Sequence, residues 1–88
     1  MARRTSPAPE LVAFGRVLRR ARRERDLSQE ALAQRAGLAP KHVSEIERGN
    51  REPRLTTITR LAGGLGLGGG ELLALLDEHT AAAATDSA

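Results

Sequence analysis

The 88-residue sequence has no cysteine, tryptophan or tyrosine and a single phenylalanine, Phe14. Without thiols there can be no disulfide framework, thiolate metal site or cysteine nucleophile. Such a composition suits a reducing cytoplasm, the expected location. The two histidines, His42 and His79, stand too far apart in sequence to suggest a metal site, and neither a metal nor any other cofactor is expected. No apolar run approaches the roughly 18 residues of a membrane span, and nothing of signal-peptide length follows the basic start Met1-Ala2-Arg3-Arg4. A membrane is therefore not an expected partner. No segment alternates apolar and polar residues as a strand would. The glycines between Gly66 and Gly70 precede no Lys-Ser/Thr pair, which argues against a phosphate-cradling loop. With no nucleophile beside a base and too few residues for a cleft, an enzyme is not expected. A chain this short makes one domain with a small core.

What the sequence does have is charge, unevenly placed. The net charge is only +3, yet residues 1–25 hold eight arginines against Glu10 and Glu24, and residues 69–88 hold four acids and no base. The two ends therefore carry +6 and −4. A basic side of this kind can meet a polyanion, or can simply be a solvated face.

The apolar residues supply a helical period. Residues 1–9, with Pro7 and Pro9, read as a flexible basic arm. From Glu10, Leu11, Phe14, Val17, Leu18 and Ala21 recur at steps of three and four, one stripe of a helix ending near Asp26. Ser28 is an N-cap for a helix from Gln29, with Leu32, Ala33 and Ala36 inward, and Gly37 stops it. Pro40 opens a third helix with Val43 and Ile46 inward, closed by Gly49. Leu55, Ile58, Leu61, Ala62 and Leu65 mark a fourth. After the glycine stretch, Glu71–Glu78 makes a short fifth helix, loosely held for want of a polar cap residue. The expected organisation is an arm over 1–9, a domain over 10–78 and a disordered tail over 79–88. The fold class is all-α, a compact five-helix bundle.

The most informative segment is Gln29 to Arg48, QEALAQRAGLAPKHVSEIER. Two helices crossing steeply over a short turn need a small residue on the first helix's inner face, a positive φ in the turn and apolar anchors one turn apart on the second. Ala33, Gly37 and the pair Val43 and Ile46 meet those demands in register. On these residues, and on LRRARRERDLSQEALAQRAGLAPKHVSEIERG followed by NREPRLTTITRLAGGLGL, the chain resembles the lambdoid phage repressor family, also called the Xre-type helix-turn-helix family. The resemblance spans Leu11 to Leu76. It implies a five-helix bundle in which helices 2 and 3 form a unit that binds double-stranded DNA, as a transcriptional regulator and most readily a repressor.

In such a unit the second helix lies in the major groove. Pro40, Lys41, Ser44, Glu45 and Arg48 then face outward, because Val43 and Ile46 face in. Pro40, Lys41, Ser44 and Glu45 are the candidate base readers, with Lys41 donating to guanine and Glu45 accepting from cytosine N4. The alternatives are a phosphate contact for Lys41, and for Glu45 a solvated carboxylate or one paired with Lys41 one turn away. The resemblance assigns Gln29 to a phosphate, with a brace on the recognition helix. It lays Asn50, Arg51 and Arg54 along the DNA backbone, Arg54 reaching toward the minor groove. His42 and Arg48 join that backbone set. Arg22 and Glu47 match a family pair that forms a partly buried salt bridge. Arg16, Arg19, Arg20, Arg23 and Arg25 read as mostly solvated, with Arg19 or Arg23 able to approach phosphate.

A homodimer on a near-palindromic operator is the expected partner state, with dimer contacts among Leu67–Leu76 if those leucines are not all core. Two other readings stay open from the sequence. One is an antitoxin that represses its own operon and binds a toxin. The other is an adaptor that uses the same fold to bind protein without DNA.

Overall fold

Five helices build the chain: α1 (Pro9–Glu24), α2 (Gln29–Ala36), α3 (Pro40–Glu47), α4 (Leu55–Gly64) and α5 (Gly69–Ser87). The computed structural model describes residues 8–87, and among them there is no strand. Arg3 and Arg4 and most of the expected arm lie outside the described residues.

Local chemistry sets the helix ends. Pro9 and Pro40 occupy the first turns of α1 and α3, where no backbone donor is needed. The Ser28 hydroxyl accepts from the Ala31 N–H at 2.9 Å and so caps α2. At the other end Gly37 takes φ 71°; its N–H bonds the Gln34 carbonyl, and that of Leu38 bonds Ala33. This pair of reversed bonds satisfies carbonyls the helix leaves open, and a glycine at the turn avoids the Cβ clash.

The same pair of bonds closes α1, α3 and α4, with Asp26, Gly49 and Gly66 at the positive-φ position. Asp26 alone has a side chain there, at φ 55°. Its negative charge also follows directly on the negative end of α1. Left-handed geometry costs an L-residue about 1–2 kcal/mol, only partly offset by the extra unfolded-state entropy of glycine. Asp26→Gly is therefore expected to stabilise the fold by about 1 kcal/mol, seen as a higher urea midpoint with an unchanged slope. A lower midpoint would contradict this account of the turn.

The core gathers one face from every helix. Phe14, Val17, Leu18 and Ala21 of α1 meet Leu32, Ala33 and Ala36 of α2, Val43 and Ile46 of α3, Leu61 and Ala62 of α4, Leu65 and Leu72. Ala33 is fully buried at the α2–α3 crossing. The inward residues chosen from the helical period are buried there, except that Leu11 and Ile58 are only half-buried and Leu55 is exposed.

α5 differs from expectation at both ends. It starts at Gly69 and continues to Ser87, through residues expected to be a disordered tail. The reason is local: Ala81 to Ala84 have the highest helix propensity of any residue type, and the preceding turns supply the nucleus. Its start is capped after all. Glu71, at the third helical position, reaches back so that the Gly68 N–H donates to Oε1 at 2.7 Å. That is the carboxylate half of a capping box, a spacing legible in the sequence. Leu72, fully buried, pins that first turn to the core.

Candidate nucleic-acid interface

Burial divides α3 into two faces. Val43, Ile46 and Glu47 are buried, so the helical period turns Lys41, Glu45 and Arg48 directly away from the core, with Pro40 and Ser44 on one flank and His42 on the other. Pro40, Lys41 and Arg48 are exposed, whereas His42, Ser44 and Glu45 are half-buried. The start of α2 adjoins this face: Ser28, Gln29, Pro40, Lys41 and Ser44 border one shallow hollow. The α2–α3 crossing thus puts the first turn of α2 beside Pro40, Lys41 and Ser44 of α3. Such a surface suits an anion next to a groove of hydrogen-bonding base edges.

One buried cluster holds that surface in place. The Glu47 carboxylate, fully buried, receives Arg22 Nε at 2.6 Å on one oxygen and Arg22 Nη2 at 3.0 Å on the other. Arg22 Nη1 donates to the Leu27 carbonyl at 2.8 Å. Gln29 Nε2 and Arg19 Nε also donate to Glu47 Oε1, at 3.0 and 3.4 Å. Burial pushes the Glu47 carboxyl up. The hydrogen bonds from Arg22 and Gln29, the Arg22 charge and the Arg19 contact outweigh it, holding the group below its ordinary value. The cluster joins α1, α2 and α3 at the end of α3. Arg19, read as solvated, is a ligand of this carboxylate. The Gln29 amide is tied to α3 through one of its two N–H donors, leaving the other unused by Glu47.

A second, exposed cluster sits on the outward face. Gly49 turns the chain back on α3, and the Asn50 N–H bonds the Glu45 carbonyl at 3.0 Å. Arg51 Nη1 then donates to Glu45 Oε1 at 2.9 Å. Glu45 therefore pairs with Arg51, six residues on, and not with Lys41 one turn before. The Arg51 hydrogen bond, helped by the charges of Arg51, Lys41 and Arg48, holds the Glu45 carboxyl below its ordinary value against a modest desolvation. Partial burial and then the Arg51 charge push His42 down, with Glu45 opposing, so His42 borders the same pair. Arg48 Nε donates to the Ser44 carbonyl at 3.3 Å. Asn50 and Arg54 are exposed, Arg54 at the N-cap of α4.

Arg25 also departs from its reading as solvated. It donates to the carbonyls of Leu65 at 2.7 Å and Ala21 at 2.8 Å, tying the end of α1 to the end of α4. Nothing in its spacing signalled this, because Leu65 is 40 residues away. Among the described residues no group of His, Cys, Asp or Glu could hold a metal ion, and no helix is long and apolar enough to cross a membrane.

The model of the helix-turn-helix family matches residues 18–72. The chain is 41% identical over 59 residues to an uncharacterized HTH-type transcriptional regulator, y4dJ, of Sinorhizobium fredii, across 67% of this chain and 77% of that protein. It is 35% identical over 69 residues to the immunity repressor protein of Bacillus phage phi105, across 78% of this chain and 46% of the repressor. Among solved structures, the restriction-modification controller protein C.AhdI from Aeromonas hydrophila superposes with a TM-score of 0.72 at 42% identity, over 74% of this chain and 98% of that one.

Proposed function

Because this chain belongs to the helix-turn-helix family, we propose that it binds an operator in double-stranded DNA sequence-specifically and represses transcription from it. The observation that carries this reading is the outward face of α3. Lys41 and Ser44 are presented beside the start of α2, with Glu45 and Arg48 on the same outward face, by a buried ion pair that fixes the helix. Lys41, the only lysine of the chain, stands at the second position of α3, where side chains enter the groove first. Ser44 and Pro40 flank it toward α2. Gln29 uses its remaining amide N–H on a phosphate, and Asn50, Arg54, His42 and Arg48 follow the backbone. These contacts supply affinity and salt dependence, and base edges supply the choice of sequence.

One such domain makes few phosphate contacts, so two copies on symmetric half-sites give affinity and specificity together. The α5 surface suits the self-contact only in part. Leu72 is fully buried and Leu67, Leu75 and Leu76 pack on the core, leaving Leu73 as the exposed leucine of that helix.

The test is binding of the purified protein to DNA upstream of its own gene and to random duplex, across a salt series. Specific binding is expected, with log Kd rising steeply with log salt, about 0.9 per phosphate neutralised. Equal, weak binding to both duplexes would sink the assignment for that operator. Lys41→Ala is expected to cost about 1–3 kcal/mol of discrimination at a single base pair of each half-site if the ammonium reads a base edge. A uniform loss on every duplex would make it a phosphate contact.

A further inference from the structure

The outward face of α3 carries one carboxylate, Glu45, and a carboxylate turned toward DNA needs a physical reason. If Arg51 served as a phosphate grip, Glu45 would work against it, cancelling much of the arginine's attraction for the backbone. A base-reading arginine has the opposite requirement. Its planar fork must be aimed, and a second anchor reduces the rotamer entropy lost when it docks.

The geometry fits the second requirement. Gly49, at φ 75°, reverses the chain, and the Asn50 N–H bond to the Glu45 carbonyl lays Arg51 back over the helix. The arginine then holds Glu45 through Nη1 alone, at 2.9 Å. Among the described residues no other hydrogen bond takes its Nε or Nη2. The Nε–Nη2 edge is therefore a free pair of parallel donors, the arrangement that matches O6 and N7 of guanine. The pair stays partly wet, with the Arg51 side chain 52% exposed and that of Glu45 24%. It is anchored at one end and open at the other.

We propose that Arg51 reads a guanine in each half-site and that Glu45 is its positioning residue rather than a reader of cytosine. This rests on the DNA-binding reading above and assigns Arg51 a role in specificity, where the sequence pointed to the backbone.

The experiment starts from a pool of random duplexes, from which the wild-type protein selects a preferred site. Each base pair of that site is then replaced in turn, and Kd and its salt slope are measured for wild type, Arg51→Ala and Glu45→Gln. Both side chains are partly exposed and outside the core, and thermal melts check that the variants fold. For Arg51→Ala, discrimination at one guanine of each half-site is expected to fall by about 10–100-fold, with the other positions and the salt slope unchanged. Glu45→Gln is expected to weaken discrimination at that same base pair. If Arg51→Ala weakens binding to every duplex by one factor and lowers the salt slope by about 0.9, Arg51 is a phosphate contact and the proposal is overturned. If Glu45→Gln changes a different base pair, Glu45 reads a base itself and the positioning role is overturned. Failure of the wild-type protein to select any sequence would instead remove the DNA-binding reading on which both roles stand.

Discussion

Glu47→Ala is expected to destabilise the protein by about 3–5 kcal/mol in urea unfolding at pH 7, without changing the slope by much. The size follows from what stays behind. Arg22 is buried, with its guanidinium fork on Glu47 at 2.6 and 3.0 Å. Deleting the carboxylate strands that cation in the interior with only the Leu27 carbonyl as partner, and leaves Gln29 and Arg19 without their acceptor. A small domain has only some 5–15 kcal/mol of stability in all, so this loss is a large share of it. Replacing both partners by apolar residues of similar volume is expected to be far milder than either single change, because no buried charge is then left alone. If Glu47→Ala cost less than about 1 kcal/mol, the cluster would not hold α1 to α3.

The same group sets part of the acid stability. Its folded-state pKa lies below the ordinary carboxylate value because the hydrogen bonds and the Arg22 charge outweigh burial. A depressed carboxylate contributes stability that is full above its unfolded pKa, about 4.3 for Glu. That contribution is lost as pH falls through the lower folded value. Glu47→Gln should therefore flatten the acid limb of the stability curve. A limb as steep as that of wild type would assign the acid sensitivity to other carboxylates.

Gly15→Ala is the second large effect, and its sign is contrary to helix propensity. In an exposed helix interior, alanine would be favoured over glycine by about 1 kcal/mol. Gly15, in the middle of α1, is instead pressed against the end of α3. A Cβ there would collide with the Glu47 carbonyl oxygen and lie 2.7 Å from that of Ile46. Both obstacles are backbone, so no side chain can swing aside, and α1 would have to lift from α3 directly beside the Arg22–Glu47 pair. Overpacking of this kind costs about 1–3 kcal/mol, and the rigid neighbours place this site at the upper end. The expected result is a melting temperature lowered by roughly 10 °C or more. An equal or higher melting temperature would mean that the two helices separate at little cost.

Both sites show where reading a sequence stops. The helix starts at Gln29 and Pro40, the start of α1 to within one residue, and the stop at Gly37 were legible, because a cap, a proline ring or a positive φ acts within a few residues of itself. The inward stripes of α1, α2 and α3 were legible too, since 3.6-residue periodicity needs only local spacing. Even α5 was readable in principle. The Glu71 cap lies three residues from Gly68, and the alanine run favours helix, although it resembled a disordered tail by composition.

On the candidate DNA surface, spacing separated the outward side chains of α3 from the inward ones but could not choose their partners. Lys41 stands one turn before Glu45, and Arg51 the same distance after Glu47. Spacing alone would favour those pairs, yet Glu45 holds Arg51, and Glu47 holds Arg22, the partner that the family resemblance implied. The first exchange depends on the reversal at Gly49, and the second on α1 crossing α3. Gly15 belongs with them: a glycine amid a helical pattern looks like a weak position until another helix's carbonyls are found beside it.

The sequence by itself determined that this chain is five helices with a helix-turn-helix unit at their centre, because caps, turns and hydrophobic period are short-range properties. Only the tertiary structure decided that Arg51 meets Glu45, that Arg19 joins the Arg22–Glu47 pair, and where a methyl group has no room. Those outcomes depend on distances across helices, set once the whole core of α1 to α5 has closed.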